Sequence, residues 1–510
     1  MTTDATRSVI IIGAGIAGLS AGCYARMNGY RTHIFEMHTQ PGGLCTSWSR
    51  KGYTIDGCIH WLVGSSPSSP FYPLWEEVGA VQGKEFLYAD EYARYETEDG
   101  RTLRFPTHLD ALEEHWLEFA PEDAGPIREF VSAARRLLGF HQPLGKPPEL
   151  YGPTDGLRML RQMAPYMGLM RRWSALSIAD FAARLKNDAL RDLVLRAWYP
   201  EFSLFFLLVT LVWLHRREAG YPVGGSLAFA RSIEQRYRDL GGEITYRARV
   251  RRILVRDDRA VGVELEDGSQ HFADAVISAA DGYTTIFGML EGLYLNDRIR
   301  RLYEMPLFPP LVQVSLGVRR TFEDVPHLIA GLDIPLKSPV RVGGREERRL
   351  TVHPYSFDPT LAPPGKTVVV VLFSADYDYW RRLHETPEQY RAEKERVAEQ
   401  VVAALEERFP GLSAQVEMWD VATPVTYERY TGNWRASFEG WLLTPQNVRV
   451  QVPRTLPGLR NFYMAGHWTM PGGGLPTALL TARWAVQVMC HHDGQEFRTQ
   501  RPTEHAIRST

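Results

Sequence analysis

Residues 9–36, VIIIGAGIAGLSAGCYARMNGYRTHIFE, decide the fold of this chain. The apolar residues 8–12 predict a buried strand, residues 13–18 a tight turn, residues 19–28 a helix and residues 31–36 a second strand. Two strands joined through a helix in this way form a parallel βαβ unit with a right-handed crossover. The sequence therefore predicts an α/β fold built on a parallel sheet.

The turn of this unit carries the pattern GxGxxG, with glycines at Gly13, Gly15 and Gly18. The first permits the tight turn, the second lets the backbone approach a pyrophosphate, and the third lets helix and strand pack closely. Glu36, at the end of the second strand, can accept hydrogen bonds from ribose hydroxyls, and its charge disfavours a 2′-phosphate. The unit predicts a site for FAD or NAD rather than NADP. A glycine turn without a ligand is the alternative.

A second glycine pair, Gly42–Gly43, comes six residues after Glu36 in the segment MHTQPGGLCTSW. It lies where the backbone would again have to run close to a bound cofactor, which glycine permits because it has no Cβ. A fold that binds NAD alone has no evident need of this pair, so it favours FAD. An ordinary turn at Pro41–Gly42 is the alternative interpretation.

The N-terminal residues 9–48, followed by GYTIDGCIHW at residues 52–61, resemble the phytoene desaturase and carotenoid isomerase branch of flavoproteins, which is related to the flavin amine oxidases. Residues 458–483, GLRNFYMAGHWTMPGGGLPTALLTAR, look like the terminal FAD motif of that family. In the family, a helix N-terminus in this motif points at the pyrimidine edge of the flavin. The helix dipole and free N–H groups there stabilise negative charge on a reduced flavin.

A middle block also agrees with the family, with YPVGG at residues 221–225 and VISAAD at residues 276–281. By resemblance, the backbone of Val250 contacts the adenine. The three blocks occur in family order and together predict FAD as the cofactor. The cofactor-binding residues that follow from the motifs and the resemblance are Gly13, Ala14, Gly15, Ile16, Ala17, Gly18, Glu36, Met37, Gly42, Gly43, Leu44, His60, Val250, Gly466, Gly473, Gly474 and Leu475.

At 510 residues the chain exceeds the roughly 250 to 300 residues that one hydrophobic core organises, so two lobes are expected. The predicted fold class is α/β, with a Rossmann-like FAD-binding domain of the GR2 type and a second, α+β substrate-binding domain. We assign residues 1–80, 218–290 and 455–492 to the discontinuous FAD-binding domain. Residues 81–217 and 291–454 form the substrate-binding lobe, and residues 493–510 are expected to be a loose tail.

Composition and charge exclude several classes of function. Lys and Arg number 58 against 60 Asp and Glu, so the chain has no electrostatic footprint for nucleic acid. The four cysteines have neither disulfide-framework nor zinc spacing, and no metal site is predicted. The first 15 residues lack the features of a secretory signal, which favours a cytoplasmic location.

Two apolar segments bear on membranes. Residues 202–214, FSLFFLLVTLVWL, are shorter than the ~20 residues that span a bilayer, so a buried helix is expected there. Residues 157–173 mix Met, Leu and Tyr with several Arg, which is typical of a helix on a membrane surface. A basic helix packed on its own protein is the alternative, and Pro165 argues against one continuous helix. Peripheral membrane association therefore remains open.

Two departures from the family pattern affect the redox chemistry. Members often carry an arginine directly after the second glycine pair, whereas this chain has Leu44 and Cys45. No second GxGxxG follows a strand, so a dedicated NAD(P)H domain is not expected. The electron acceptor is not identified by the sequence; oxygen and a quinone are the candidates.

The resemblance implies that the flavin carries the chemistry and that the protein mainly orients the substrate. His60 lies where the chain should pass the flavin ring, and His467 and Trp468 flank the terminal FAD motif. They are the candidate catalytic residues, because a histidine with a pKa near 6.5 can act as an acid or a base. Histidines that only hydrogen-bond the backbone or the flavin are the alternative.

Trp434, Phe438 and Trp441, with Tyr427 and Tyr430 nearby, are candidates for the wall of an apolar substrate tunnel, or else ordinary core aromatics. The expected activity is desaturation, isomerisation or saturation of carbon–carbon bonds in an apolar isoprenoid or polyene. Amine oxidation is a second hypothesis, although neither an aromatic cage nor a lysine near the flavin is identified. A protein that holds flavin and carries lipid without turnover is the third.

Overall fold

The parallel sheet expected from residues 9–36 is present in the computed structural model of the protein, which describes residues 6–502. Within that range the strands are β1 Ser8–Ile12, β2 Arg31–Phe35, β3 Ser47–Arg50, β4 Tyr53–Asp56, β5 Leu62–Val63, β6 Phe86–Leu87, β7 Glu91–Glu96, β8 Thr102–Pro106, β9 Ala219–Pro222, β10 Glu243–Thr245, β11 Val250–Arg256, β12 Arg259–Leu265, β13 Gln270–Phe272, β14 Ala275–Ser278, β15 Leu311–Val318, β16 Leu328–Val342, β17 Arg345–Pro354, β18 Thr367–Ser374, β19 Val416–Ala422 and β20 Phe462–Met464.

The helices of the same range are α1 Ile16–Met27, α2 Tyr72–Glu77, α3 Leu109–Phe119, α4 Ala124–Arg136, α5 Pro153–Met163, α6 Met167–Ser174, α7 Ile178–Ala182, α8 Asp188–Ala197, α9 Leu204–His215, α10 Gly225–Asp239, α11 Asp297–Leu302, α12 Tyr377–His384, α13 Pro387–Arg408, α14 Pro424–Thr431 and α15 Leu475–His492. The mixture of parallel sheet, antiparallel sheet and helix confirms the predicted fold class.

The five-stranded parallel sheet has the order β10-β2-β1-β14-β20. Its strands come from three distant parts of the sequence, which the parallel pairings β1 with β14 and β14 with β20 bring together. Helix α1 packs against α15 and α10. Because β1, β14 and β20 all end at one edge, the loops that follow them face the same crevice, where ligands of open α/β sheets bind.

The strands of residues 243–281 divide between two sheets. Only β11, β12 and β13 form an antiparallel meander, whereas β10 and β14 join the parallel sheet. The difference has a physical reason, since all four residues of β14 are buried and a strand covered on both faces suits the centre of a parallel sheet. Asp257 and Asp258 form the hairpin turn between β11 and β12, with both residues at positive φ.

A seven-stranded mixed sheet, β19-β15-β18-β17-β16-β7-β8, lies in the part of the chain assigned to the substrate-binding lobe. Helix α13 packs against β16 and β19, and helices α3 to α9 form a separate layer around residues 109–215. The sheet and the helical layer together match the α+β character predicted for this lobe. The residue boundaries of the two lobes stay a prediction.

The apolar run at residues 202–214 forms α9, most of whose residues are buried, as expected. Among the described residues, no helix combines the length and the apolar character that crossing a bilayer requires. The segment of residues 157–173 is broken as Pro165 predicts, because α5 ends at Met163 and α6 begins at Met167. Helix α5 has no buried residue.

Residues 493–502 are the described part of the tail assigned to residues 493–510. Residues 493–502 form no helix or strand, but the ring of Phe497 lies 5.9 Å from that of Tyr24 on α1. The amide of Arg498 donates a 2.7 Å hydrogen bond to the Asn28 side chain. The described part of the tail is therefore held against the nucleotide-binding unit, and residues 503–510 lie outside the described residues.

Candidate functional site

The first glycine turn closes the end of β1 and begins α1. Gly13 has a φ of +94° and donates a 2.8 Å hydrogen bond to the carbonyl of Phe35 at the end of β2. A Cβ on Gly18 would lie 1.8 Å from the carbonyl oxygen of Gly13, so only glycine fits at that position of the helix. The turn is thereby locked against both the sheet and α1, with the N-terminus of α1 facing the crevice.

Glu36 follows β2 and lies beside this turn. Its carboxylate accepts hydrogen bonds from the amides of Ala14, at 2.5 Å, and His38, at 2.7 Å. Burial raises the pKa of this carboxyl, and the two amides oppose the shift. Glu36 is thus fixed at the position from which an acidic residue binds the ribose in dinucleotide folds.

The second glycine pair meets the first turn. The amide of Gly42 donates a 2.9 Å hydrogen bond to the carbonyl of Ala14, and Gly42 pairs with Gly15 as an isolated bridge. Gly42 has a φ of +109°, and a Cβ there would lie 2.1 Å from the carbonyl oxygen of Cys45. The ordinary-turn interpretation is therefore insufficient, because the pair brings the backbone against the nucleotide turn.

A third glycine-rich turn leads into α15. Gly473 and Gly474 have φ values of +58° and +84°, and α15 begins at Leu475 with Pro476 in its first turn. A Cβ on Gly473 would lie 2.5 Å from the carbonyl oxygen of Glu439. Glycine here lets the loop before α15 press against residues 438–440, and the free N–H groups of the α15 N-terminus face the crevice.

All three turns line one cavity of about 1000 Å³, which is at the upper end of ligand pockets in proteins. Of the predicted cofactor-binding residues, Ala14 and Gly18 lie behind the surface, where they form the contacts described above. The others line the cavity: Gly13, Gly15, Ile16, Ala17, Glu36, Met37, Gly42, Gly43, Leu44, His60, Val250, Gly466, Gly473, Gly474 and Leu475. The three sequence blocks therefore meet in one place.

The same cavity continues into the other lobe, where aromatic side chains line it. The rings of Tyr199, Phe308 and Phe438 lie within 5.3 to 6.4 Å of one another. Further aromatic residues on this wall are Trp61, Phe140, Trp198, Phe205, Phe206 and Trp213. Tyr427 and Tyr430 also line the cavity, as do Met163 and Met170 from α5 and α6. The cavity thus runs from the nucleotide turns to the exposed helix pair.

Of the three residues proposed for the substrate wall, Phe438 lines the cavity, whereas Trp434 and Trp441 lie one layer behind it. Trp434 stacks on Tyr283 at a ring distance of 4.3 Å, and Trp441 has no exposed surface. Trp441 packs edge-on against Trp468, which does line the cavity. The core interpretation therefore describes Trp434 and Trp441 better, and their influence on a substrate would pass through Trp468.

The profile of the flavin-containing amine oxidoreductases matches residues 16–490. The chain belongs to this family. A chloroplast prolycopene isomerase from an Oncidium hybrid cultivar is 24% identical over 511 residues, which cover 95% of this chain and 83% of that protein.

Two further proteins are similar over nearly the whole chain. A lycopene-forming phytoene desaturase from Pseudescherichia vulneris is 25% identical over 515 residues, which cover 95% of this chain and 99% of that protein. The solved structure of an oxidoreductase from Methanosarcina mazei has a TM-score of 0.59 at 17% identity, covering 94% of this chain and 99% of that one. This member of the flavin-containing family is an FAD-dependent oxidoreductase.

The residues around the cavity fit the flavin cofactor of the family. Two glycine turns meet at Gly15 and Gly42 and leave backbone, rather than side chains, facing the space between them. The buried Nε2 of His467 has no hydrogen-bond partner among the described residues, and His467 lines the cavity. A bound group with polar atoms, such as a flavin, would satisfy such a nitrogen.

Burial favours the neutral form of both candidate histidines. Burial lowers the pKa of His60 and that of His467 to about 4. His60 lies 4.9 Å, ring to ring, from His353, whose pKa is lowered well below the usual range by burial and by His60. Neutral imidazoles donate and accept hydrogen bonds but are poor acids at neutral pH. The geometry thus favours the alternative that these histidines bind polar atoms.

The cavity is not apolar throughout. Arg196, Glu347, Arg349 and Thr351 line one end of it. Both arginines pair with the buried Asp333, Arg196 at 3.3 Å, and the Thr351 hydroxyl donates to the same carboxylate at 3.1 Å. The positive charges of the two arginines are balanced by the carboxylates of Asp333 and Glu347 at this end. The sequence did not predict this charged end.

Glu439 is a polar residue that the sequence reasoning missed. It lines the cavity, and its Oε1 lies 3.7 Å from where a Cβ on Gly474 would be, so the carboxyl faces the N-terminus of α15. Burial raises the pKa of this carboxyl to about 8, which keeps it protonated at neutral pH. The available signal was a single acidic residue inside the aromatic segment NWRASFEGWLL.

Proposed function

We propose that this FAD-dependent oxidoreductase acts on carbon–carbon bonds of a long apolar polyene. The observation that carries the proposal is the single cavity, which joins the three glycine turns to a wall of aromatic and aliphatic side chains. The aromatic part of this cavity suits a hydrocarbon better than a polar substrate. The prolycopene isomerase and phytoene desaturase relatives are named for carotenoid substrates, which supports the same class.

The residues that would hold FAD are inferred from the glycine turns and from the family resemblance. We expect the N-terminus of α1 and the Gly42–Gly43 pair to hold the pyrophosphate and Glu36 to bind the adenosine ribose. By the resemblance, Val250 would contact the adenine, and the N-terminus of α15, with Gly473 and Gly474, would face the pyrimidine edge of the flavin. Helix N-termini favour negative charge through their dipoles and free N–H groups, so both helices serve the cofactor.

When bound, FAD supplies hydride transfer to or from a carbon of the substrate. The protein orients the polyene between the rings of Tyr199, Phe308 and Phe438 and excludes water from the reacting bond. In saturation, the protonated carboxyl of Glu439 can donate its proton to the carbon next to the one that receives hydride. In desaturation, the deprotonated carboxylate would accept the proton from the carbon next to the one that loses hydride. The hydride and the proton together account for one C–C bond saturated or one C=C bond formed.

The test uses the FAD-loaded protein with phytoene or prolycopene in lipid vesicles, under nitrogen and with a quinone as acceptor. Desaturation gives a product two hydrogens lighter that absorbs at longer wavelength, isomerisation leaves the mass unchanged, and saturation adds two hydrogens when the flavin is first reduced. A parallel arm offers alkyl amines and measures peroxide. Formation of any of the three polyene products supports the proposal.

Peroxide formed from amines, with the polyenes unchanged, would favour amine oxidation instead. Binding of a polyene without its conversion, and without a change in the redox state of the flavin, would favour the lipid-carrier hypothesis. Because the charged end near Arg196 and Arg349 could receive an oxygen function, the substrate panel should include a polyene of equal length that ends in a hydroxyl group. A higher kcat/KM for that compound would place its end at the arginines.

We further propose that the substrate enters from a lipid surface beside α5 and α6. Four large apolar side chains of this segment are exposed, namely Leu157, Met159, Leu160 and Met167. Arg158 and Arg161 lie among them in the sequence and Arg171 follows them, and Met163 and Met170 of the same helices line the cavity. An amphipathic basic segment above a hydrophobic tunnel is suited to anionic lipid.

A further inference from the structure

Cys45 and Cys58 lie at the open end of the β3–β4 hairpin. In the hairpin Ser47 is paired with Asp56, and beyond it the amide of Gly57 donates a 3.0 Å hydrogen bond to the carbonyl of Thr46. Continuing the same register places Cys45 opposite Cys58. The regular ladder ends at the pair 46 and 57, because the amide of Thr46 donates to the carbonyl of Leu44. The next pair would occupy a non-hydrogen-bonded position, where the Cα atoms of a regular ladder are about 4.5 Å apart.

That spacing suits a disulfide, whose Cα atoms are usually about 4.4 to 6.8 Å apart. The thiol of Cys45 donates to the carbonyl of Ser226 at 3.4 Å. The thiol of Cys58 is close enough to that of Cys45 to affect its pKa. Burial, and then the nearby Cys58, raise the pKa of the Cys45 thiol well above its usual range. The two thiols are therefore neighbours in space as well as in register.

Both cysteines line the cofactor cavity, and they differ in exposure. Cys45 is buried, whereas Cys58 keeps some exposed surface. Cys58 is followed by Ile59 and His60, which line the same cavity, and Cys45 follows the Gly42–Gly43 pair. The other two cysteines, Cys23 on α1 and Cys490 on α15, do not line it. The pair is thus placed in the space that fits FAD, with Cys58 the thiol that is reached first.

We propose that Cys45 and Cys58 form a thiol–disulfide couple that exchanges two electrons with the bound flavin. In the oxidising direction the two S–H bonds break, one S–S bond forms, and two electrons and two protons pass to oxidised FAD. In the reverse direction reduced FAD returns them and the S–S bond opens. The proposal depends on FAD binding and on the hairpin geometry, and it does not depend on the substrate being a polyene.

The couple would allow this flavoprotein to hold two electrons in addition to the two that the flavin holds. The sequence contains no second GxGxxG after a strand, so no dedicated nicotinamide domain is expected to supply them. A dithiol beside the flavin can keep it reduced through one cycle, and a disulfide can take up electrons when no other acceptor is bound. A two-electron dithiol couple has a potential that lies within reach of flavin potentials in proteins.

The test is an anaerobic dithionite titration of the FAD-loaded protein after exposure to air, followed by flavin absorbance. The wild-type protein is expected to take up four electrons per flavin, two for FAD and two for the disulfide. Cys58→Ser and Cys45→Ser are expected to take up only two. Cys490→Ser is the matched control, since that cysteine lies outside the cavity, and it should still take up four.

A second readout does not use the flavin. The air-exposed protein is alkylated under denaturing, non-reducing conditions, digested and analysed by mass spectrometry, where peptides containing Cys45 and Cys58 should be cross-linked. Dithiothreitol before alkylation should abolish the cross-link. The flavin spectrum of Cys58→Ser shows whether that variant has folded. Two electrons per wild-type flavin, together with alkylation of both cysteines in the air-exposed protein, would overturn the proposal.

Discussion

The glycines of the cofactor site have different physical roles. Gly18 and Gly42 are fixed by the protein itself, because a Cβ on either would collide with a carbonyl oxygen. Gly15 is different, since a Cβ there would meet protein atoms only at 3.8 Å or more and its φ of −67° is ordinary. The lack of a side chain at Gly15 therefore serves what lies in the crevice.

We expect Gly15→Ala to leave the fold intact and to weaken FAD binding at least about tenfold, which corresponds to about 1.4 kcal/mol. The added methyl group would occupy the space that the pyrophosphate approaches. Binding is measured by flavin fluorescence quenching, and folding by circular dichroism. Gly125→Ala, at an exposed site in α4 where a Cβ meets nothing within 4 Å, is the matched control and should bind FAD normally. Equal affinity in both variants would contradict the assigned role of Gly15.

Glu439 makes stability depend on pH. Burial raises its pKa from 4.5 to about 8, so between these values the folded chain holds a proton that the unfolded chain releases. Stability from this group therefore falls as pH rises through that window. The side chain of Glu439→Gln does not titrate, so its stability relative to wild type should increase from pH 5 to 8 and then level off. Urea unfolding at a series of pH values measures this, and a constant difference would contradict the buried carboxyl.

Variants of Phe438 and Trp441 distinguish the role of the cavity wall from that of the layer behind it. Phe438→Ala should enlarge the cavity and change which polyene lengths are accepted, with little effect on FAD binding. Trp441→Ala should lower the free energy of unfolding by about 3 to 5 kcal/mol, because the side chain is fully buried. Product analysis with substrates of graded length and urea unfolding measure the two effects. A change of length preference in Trp441→Ala alone would place the wall at that residue instead.

Prediction from sequence succeeded for residues whose role depends on backbone geometry. Glycine spacing reports positive φ and close approach, so the three glycine turns were located from the sequence, and the structure brings them into one cavity. It failed where a role depends on which side chains face each other. Trp434 and Glu439 lie five residues apart, and only the folded loop shows that the acid reaches the cavity while the tryptophan lies behind it.

Among the elements, the α5–α6 pair is the one whose surface is least explained by packing within the chain. Leu157 and Leu160 are 51% and 53% exposed on a helix with no buried residue. Burying a leucine side chain is worth about 1.5 to 3 kcal/mol, so a lipid surface would gain appreciably from these two residues. Arginines in the same segment add attraction to anionic headgroups.

The double variant Leu157→Glu, Leu160→Glu should therefore bind vesicles containing phosphatidylserine at least about tenfold more weakly than wild type. Co-sedimentation with vesicles measures the binding, and thermal unfolding checks that the fold is unchanged. Leu293→Glu is the matched control, because Leu293 is 70% exposed but lies outside the α5–α6 pair. Equal loss in the control, or none in the double variant, would contradict entry of the substrate through this face.

The elements themselves were predictable where the pattern is strong and local. Strand β1 agrees with the predicted bounds, whereas α1 begins at Ile16, three residues before the prediction, because Gly15 already has the extended conformation of a helix cap. The parallel pairings of β10 with β2 and of β14 with β1 were not predictable from the alternation of apolar and polar residues. Short apolar strands fit both antiparallel and parallel sheets. Parallel partners depend on contacts distant in sequence, which a local pattern does not contain.

At the scale of the whole molecule, FAD should contribute strongly to stability. The cavity is lined by residues from both predicted lobes and from all three sequence blocks, so the cofactor binds only the folded chain. A ligand at about 100 times its Kd then adds about 2.7 kcal/mol to the free energy of unfolding. We expect removal of FAD to lower Tm and reconstitution to restore it in proportion to the logarithm of FAD concentration. A Tm that does not depend on FAD would contradict a cofactor held between the blocks.

The two-lobe organisation was inferred from length and from family resemblance, and the sheets agree with it in outline. The parallel sheet uses strands from residues 8–35, 243–278 and 462–464, while the mixed sheet uses residues 91–106 and 311–422. The charged end of the cavity could not be predicted in the same way. It is formed where β16 and β17 meet α8, and no sequence motif reports that contact.

The order of strands in the parallel sheet also has a consequence for biosynthesis. During translation β14 is synthesised before its neighbour β20, and roughly 180 residues separate Ser278 from Phe462. At about 5 to 20 residues per second, a ribosome needs about 10 to 40 seconds to supply them. During that interval the nascent chain carries an apolar strand with an unpaired edge, which is prone to aggregate. Production of this protein should therefore depend on chaperones that bind the emerging polypeptide.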